Sequence, residues 1–296
     1  MSAKLIISGF KAMAHMPLCV LYVLSDIAAV VLHRVVRYRL GVVRHNLETS
    51  FPEKSKRELR RIESRFYHNF TDNFIETLKL LHISDEAMLK RMDFVGTEII
   101  DDLMSRGRSI VVYFGHFFNW EWAPSISLHT RLKQSDGIVF AQIYRPLRSA
   151  AFDALMLTIR SRFGSESIDK KTALRRLLLL RKSGKVSITG FMSDQHPSHG
   201  DPGYITTLMG HPTALITGTE TLARKLDMSV IYWDMEKVSR GHYRITSRLI
   251  CEHPDELPEG GITARYGEML EATIKREPSI WLWSHKRWKH KVTPQE

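Results

Sequence analysis

The sequence predicts an α/β fold, a largely parallel central sheet flanked by helices. Three observations support this. Short apolar runs at Ser109–Phe114, Gly137–Ile143, Lys185–Met192 and Met228–Met235 have the length of buried strands. Helical patterns lie between them, near Asn119–Leu128, Leu147–Arg162, Lys170–Ser183 and Thr213–Leu226. Gly107 and Gly184 stand where helices should stop and strands begin. Strands alternating with helices indicate parallel pairing with both sheet faces covered.

Taken in order, the chain starts with an apolar stretch, Pro17–Leu32 ("PLCVLYVLSDIAAVVL"), in which Asp26 is the one full charge. Lys4 and Lys11 precede it, and Arg34, Arg37 and Arg39 follow. A spanning helix needs about 20 predominantly apolar residues, so this stretch is short for that role and carries a charge inside. No small-residue cleavage site follows it. It reads as a membrane anchor, an interfacial helix or a buried core helix. The basic flanks favour membrane association. Residues 1–40 are therefore expected to form a membrane-associated helix, and 41–296 a single α/β domain with a helical extension at its start.

Ser55-Lys56-Arg57-Glu58 has the form of a capping box. Behind it Leu59, Ile62, Phe66, Phe70, Phe74, Leu78 and Leu81 recur every three or four residues, which predicts one long amphipathic helix. Past the strand–helix alternation, Tyr243–Leu249 reads as an edge strand and Thr263–Lys275 as a last helix before Pro278.

The composition narrows the function. Of the 296 residues, 43% are hydrophobic and 25% charged, an ordinary globular balance. The formal net charge of +11 points to an anionic partner. Two cysteines, Cys19 and Cys251, support neither a disulfide framework nor a cysteine metal site. "DQHPSHGD" gathers Asp194, His196, His199 and Asp201, but in no spacing with an established metal mechanism, and its Pro and Gly residues mark an exposed loop. No metal and no cofactor is expected. "WSHKRWKHK" (Trp283–Lys291) mixes tryptophan with basic residues. No helix-turn-helix, zinc-finger or ribonucleoprotein pattern accompanies it, so an interfacial segment contacting lipid phosphate is preferred to a nucleic-acid site.

The segment with the clearest chemistry is "GHFFNWEW" (Gly115–Trp122), just past a predicted strand end, where sites collect in parallel sheets. His116 is placed to act as a general base and Glu121 as the carboxylate that orients it, if His116 stands on the loop before the helix. Gly115 permits the sharp passage, and Asn119 is placed to cap the helix. No G-x-S-x-G elbow is present, so a serine acyl-enzyme is not indicated. Arg145, before Pro146 at a strand end, suits a phosphate or an oxyanion.

"YFGHFFNWEW" resembles the H-x4-[D/E] box of glycerolipid and lipid A acyltransferases. The wider chain resembles the late lipid A acyltransferases of Gram-negative bacteria. "RLGVVRHNLETSFPEKS" (Arg39–Ser55), "QIYRPLRS" (Gln142–Ser149), "RSRFGSESI" (Arg160–Ile168), "MSDQ" (Met192–Gln195), "LMGHPTALITGTETLARKL" (Leu208–Leu226) and "WLWSHKRWK" (Trp281–Lys289) fall in the family's order. The resemblance implies His116 as base with Glu121 as partner. It implies substrate-binding roles for Arg145 and Asp194 and more loosely for Arg162, a set that Asn119 joins. It further implies a membrane-bound enzyme on the cytoplasmic side of the inner membrane, transferring an acyl chain from a thioester to a lipid A precursor or another lipid acceptor. A basic membrane-binding module without activity is the non-enzyme alternative. The donor is acyl-acyl carrier protein or acyl-coenzyme A. The cluster Lys170, Lys171, Arg175, Arg176, Arg181 and Lys182 favours the acidic carrier protein.

Overall fold

The computed structural model describes residues 3–197 and 203–289. Helices α1 (Ala3–His15) and α2 (Leu18–Val30) come first, and α2 runs on into a π-helical turn, Val31–Val35. Helices α3 (Leu40–Ser50) and α4 (Lys56–Lys79) follow. The expected capping box opens α4: the Glu58 amide donates to Ser55 Oγ at 3.3 Å, and the Ser55 amide donates to Glu58 Oε2 at 2.8 Å. Leu59, Phe66 and Leu78 of the expected stripe are buried on α4, joined by Ile75, whereas Phe74 of that stripe is exposed.

The α/β part then runs α5 (Asp85–Leu89), β1 (Met92–Val95), α6 (Thr97–Ser105) and β2 (Ile110–Phe114). A 3-10 segment, Trp120–Leu128, leads to β3 (Ile138–Tyr144), α7 (Ala150–Arg160), β4 (Glu166–Asp169), α8 (Ala173–Lys182) and β5 (Val186–Met192). Last come β6 (Tyr204–Leu208), β7 (His211–Leu215), α9 (Gly218–Leu226), β8 (Ser229–Ser239), β9 (His242–Cys251) and α10 (Gly261–Arg276). Among the described residues one seven-stranded sheet has the order β1-β9-β8-β2-β5-β3-β4, and β6 and β7 form a separate hairpin. All pairs in the large sheet are parallel except β8 with β9. The α/β expectation thus holds. α10 covers one face, stacking Tyr266 on Tyr113 at 4.4 Å. On the other face Trp233 packs against Phe94 and Phe114.

Two local expectations are corrected. Tyr243–Leu249 belongs to β9, which is interior because β1 pairs along its outer side, Met92 opposite Tyr243. β1 is only four residues long with alternating burial, too short to register as a periodic run. Thr213–Leu215, read as the start of a helix, is strand: Thr213 pairs with Thr206 and Leu215 with Tyr204, and α9 begins at Gly218.

α2 lies antiparallel along α4. Leu18 and Leu21 pack with Ile75 near one end, and His33 stacks on Tyr67 near the other. The seam between them is polar. Tyr22 Oη donates to Glu76 Oε1 at 2.7 Å, and Ser25 Oγ donates to Asp72 Oδ1 at 2.8 Å. Arg240, at the β8–β9 turn, bonds Asp26 and Asp72 together and stacks over Tyr22. Glu76 is fully buried and also accepts from Tyr243 Oη at 2.7 Å and Asn119 Nδ2 at 3.1 Å.

Burial pushes the Glu76 carboxyl up from 4.5 to about 7, although the Tyr22 and Tyr243 hydroxyls pull it down. A carboxyl raised in the folded state contributes stability that is complete below its unfolded value and is lost as pH rises through the folded one. The stability of wild type relative to Glu76→Gln should therefore decline as pH rises from 4.5 through 7. Denaturant unfolding of both proteins across that range measures it, and a pH-independent difference would refute the assignment.

Candidate active site

Strand order builds the site. β2 and β5 are adjacent and parallel, with Phe114 opposite Met192. Two residues beyond each strand end stand His116 and Asp194. Parallel register therefore sets the two side chains face to face at the carboxyl edge of the sheet. Gly115 makes the exit from β2 possible by lacking a side chain. A Cβ there would come within 2.8 Å of the Phe117 ring and 2.9 Å of Leu270. The Phe117 amide closes back on the Gly115 carbonyl at 2.7 Å, which turns His116 outward.

Asp194 is the carboxylate that holds the histidine. Its Oδ1 lies 2.6 Å from His116 Nδ1, and its Oδ2 accepts from the His116 amide at 2.9 Å. Trp281 Nε1 donates to the same Oδ2 at 2.9 Å. The Asp194 carboxyl is 2% exposed, against 15% for the His116 side chain, so the ring is the accessible member of the pair. Burial alone would push this carboxyl up. The neighbouring His116 and the hydrogen bonds from its amide and from Trp281 overcome that and hold it at about 2. With Nδ1 facing an ionised carboxylate, the neutral ring carries its proton on Nδ1 and presents Nε2 as a base. The Gln195 side-chain amide sits 3.3 Å from that Nε2.

Glu121 does not bond to His116. It receives a bidentate pair from Arg160, 2.9 Å from Nε and 2.6 Å from Nη2, and accepts from Trp120 Nε1 at 3.1 Å. The Trp120 ring meets His116 edge-on with centroids 5.2 Å apart. Glu121 therefore reaches the histidine through the indole, not through a hydrogen bond. This corrects the direct His116–Glu121 pairing. The intervening chain is the reason: a 3-10 segment begins at Trp120, and Glu121 in its first turn faces α7.

The remaining expected residues separate. Asp194 belongs to the site. Arg145 is exposed on the loop after β3. Asn119 makes no side-chain cap; it is fully buried and its Nδ2 donates to Glu76. Arg162 is committed to Asp85 and the Ile83 carbonyl, each at 2.9 Å, and lies over the Phe163 ring. Of the histidine-rich stretch, His199 and Asp201 lie outside the described residues. Among those described, no group of three or more His, Cys, Asp or Glu side chains is placed to hold a metal.

Sequence reasoning missed Arg160, Trp281 and Arg287. Arg160 lies two positions before the arginine that was chosen, at the last residue of α7. Trp283 and Arg287 belong to the segment expected at a lipid interface, yet both are buried, Arg287 only 1% exposed, as is Trp281 just before it. Arg287 Nε donates to the Asp194 carbonyl, and its other nitrogens donate to Thr213 Oγ1 and the Ala214 carbonyl, each at 2.7 Å. Phe117 forms a bridge with Trp281, and the Phe118 amide donates to the Ile280 carbonyl at 2.9 Å. The stretch 280–287 thus straps both halves of the site.

A histidine held by a buried carboxylate at the carboxyl edge of a parallel sheet has the arrangement found in transferases and hydrolases that activate a hydroxyl. The chain belongs to the bacterial lipid A biosynthesis acyltransferase family, whose description matches residues 2–290. It is an acyltransferase. It is 24% identical to the lipid A biosynthesis lauroyltransferase of Escherichia coli (strain K12), over 86% of this chain and 81% of the relative. It is 23% identical to the lipid A biosynthesis palmitoleoyltransferase of the same organism, over 86% and 80%. It is 20% identical to a lipid A biosynthesis acyltransferase of Haemophilus influenzae, over 80% and 72%.

Removing Arg287 leaves three buried acceptors without a donor. Arg287→Ala should cost several kcal/mol of stability, because unpaired buried groups lose about 1–3 kcal/mol each. Arg162→Ala, at a half-exposed position, should cost less than about 1 kcal/mol. Denaturant unfolding of the two variants checks the ranking.

Proposed function

We propose that the protein is a membrane-bound O-acyltransferase that moves a fatty acyl chain from a thioester to a hydroxyl of a lipid A precursor, with His116 as general base. The observation that carries this reading is the Asp194–His116 pair with Nε2 left accessible. The acceptor hydroxyl gives its proton to Nε2 as its oxygen attacks the thioester carbonyl. Asp194 stabilises the imidazolium that forms. The tetrahedral intermediate collapses with cleavage of the carbon–sulfur bond, and the imidazolium returns the proton to the departing thiolate. The Gln195 amide, beside Nε2, is suited to donate to the oxyanion. Glu121 and Arg160 are positioning residues that fix Trp120 against the imidazole. Exposed Arg145 is suited to bind an acceptor phosphate.

Location at the cytoplasmic face of the inner membrane belongs to this reading. One helical stretch, Leu18–Val35, is long and apolar enough to cross a membrane by length and composition, with a mean hydropathy of 1.9. Arg34, Arg37 and Arg39 are exposed beyond or beside it and are suited to anionic headgroups.

Kinetics test the mechanism. His116→Ala should abolish transfer, and Asp194→Asn should lower kcat about 10³- to 10⁴-fold by presenting the wrong tautomer. Glu121→Gln should cost less, because it loosens only the indole. Near wild-type turnover of a folded Asp194→Asn protein would refute the role of the pair.

Acyl-acyl carrier protein is the donor favoured by α8. Arg175 is exposed there, whereas Arg176 is tied to Glu166 at 2.7 Å, so Arg175, Lys171 and Lys182 are the cations suited to dock an acidic partner. Reversing Arg175 and Lys182 to glutamate should raise the KM for the carrier-linked donor several-fold at low salt and leave the acceptor KM unchanged. Equal use of acyl-coenzyme A, or no response to reversal, would count against this donor.

A further inference from the structure

α2 has more apolar surface than its core contacts use. A surface helix normally turns its apolar stripe to the core and its polar side to solvent. Here the inward side mixes buried Leu18, Leu21 and Ala29 with Tyr22, Ser25 and Asp26, the polar three bonded to Glu76, Asp72 and Arg240. His33, in the π-helical turn, bonds inward to Glu63 at 2.7 Å. The outward side is aliphatic along its length: Val20, Val23, Leu24, Ile27, Val30, Val31 and Val35 are all exposed, the last by 73%. Such a face is stable only against an apolar medium, and its margins indicate which one. Lys11 is exposed on α1, and Arg34, Arg37 and Arg39 are exposed at the far end, a basic rim that complements anionic headgroups.

The medium is met side-on. A spanning helix has to leave its polar neighbours in water, but α2 and its π-helical turn are paired with α4 from Leu18 through His33. α4 carries Lys56, Arg57, Arg60, Arg61 and Arg65 as well as the acids of the seam. Threading α2 across the bilayer would either draw those charges into hydrocarbon or strip Asp72, Glu76 and Arg240 of their partners while they remain buried. Resting on the membrane reading above, we infer that the chain is monotopic: α2 lies in the plane of one leaflet of an anionic phospholipid bilayer, aliphatic face down, and crosses nothing. The rim end of this face joins the site. Arg39 Nη1 donates to the Ser284 carbonyl at 2.9 Å, inside the strap that holds Asp194.

Spin labels on the full-length protein in phosphatidylethanolamine–phosphatidylglycerol vesicles test this. One cysteine at a time replaces exposed Val20, Val23, Ile27, Val30 or Val35 in a Cys19→Ser background; Cys251 is kept because it is buried, and the background protein without an added cysteine is the labelling control. Label depth is read from the ratio of oxygen to nickel-chelate accessibility. An in-plane helix places all five labels at one common depth, about 5–10 Å below the headgroups. A helix that spans gives a monotonic change approaching 22 Å between Val20 and Val35, at about 1.5 Å per residue, and that result overturns the inference while leaving membrane binding intact. Labels equally accessible to the nickel chelate with and without vesicles overturn the membrane reading and the inference together. Reversal of Arg34 and Arg37 to glutamate should weaken vesicle binding more than tenfold; unchanged binding would remove the basic rim from the argument.

Discussion

A carboxylate shut away from water has to be balanced by donors, and the position of those donors fixes everything around it. Asp194 is that constraint here. Its two oxygens take the His116 ring, the His116 amide and the Trp281 indole, and its carbonyl takes Arg287. The four donors come from three places in the chain: His116 at the exit of β2 supplies two, and Trp281 and Arg287 on the strap that follows α10 supply one each. No one of them can shift without leaving charge uncompensated in a dry interior. The same contacts that keep Asp194 ionised also turn Nδ1 of His116 inward, which leaves Nε2 beside the Gln195 amide.

Much of the fold was legible because the long elements obey simple periods. The capping box of α4, most of its stripe (Phe74 is exposed) and the buried runs of β2, β3, β5 and β8 stand where their patterns placed them. What escaped was short or non-local. β1 and β4 are four residues each, and the β6–β7 hairpin joins two five-residue strands, the second interrupted by Pro212, across the tight turn Met209-Gly210. The site divided along the same line. His116 was found from its place past a strand end, but its carboxylate is 78 residues away, reached through the adjacency of β2 and β5. Nearness in sequence favoured Glu121, whereas strand order selected Asp194. The tryptophans and Arg287 misled for a related reason. Composition reads a mixed aromatic and basic segment as interfacial, and only the fold shows that Arg287 is the buried donor for three acceptors.

The N-terminal helix shows how one charge can be read two ways. In the sequence Asp26 is a defect in an apolar stretch. In the fold it is a point of attachment, shared with Arg240 and His68. Removing a charge of that kind would make the segment a better membrane span and a worse partner for α4. The polar seam therefore fixes how the catalytic body is oriented against whatever covers the aliphatic face. Gly241, at the turn beside Arg240, takes φ +73 and has no side chain to push Tyr22 away.

The strap at 280–287 also imposes an order in time. Translation delivers β2, β5 and the rest of the sheet well before Trp281 and Arg287 leave the ribosome. A nascent chain can pair its strands and set His116 beside Asp194, yet it lacks the indole on Oδ2 and the guanidinium on the Asp194 carbonyl. The two donors that complete the Asp194 shell are thus the last to be made, and they close over strands already synthesised.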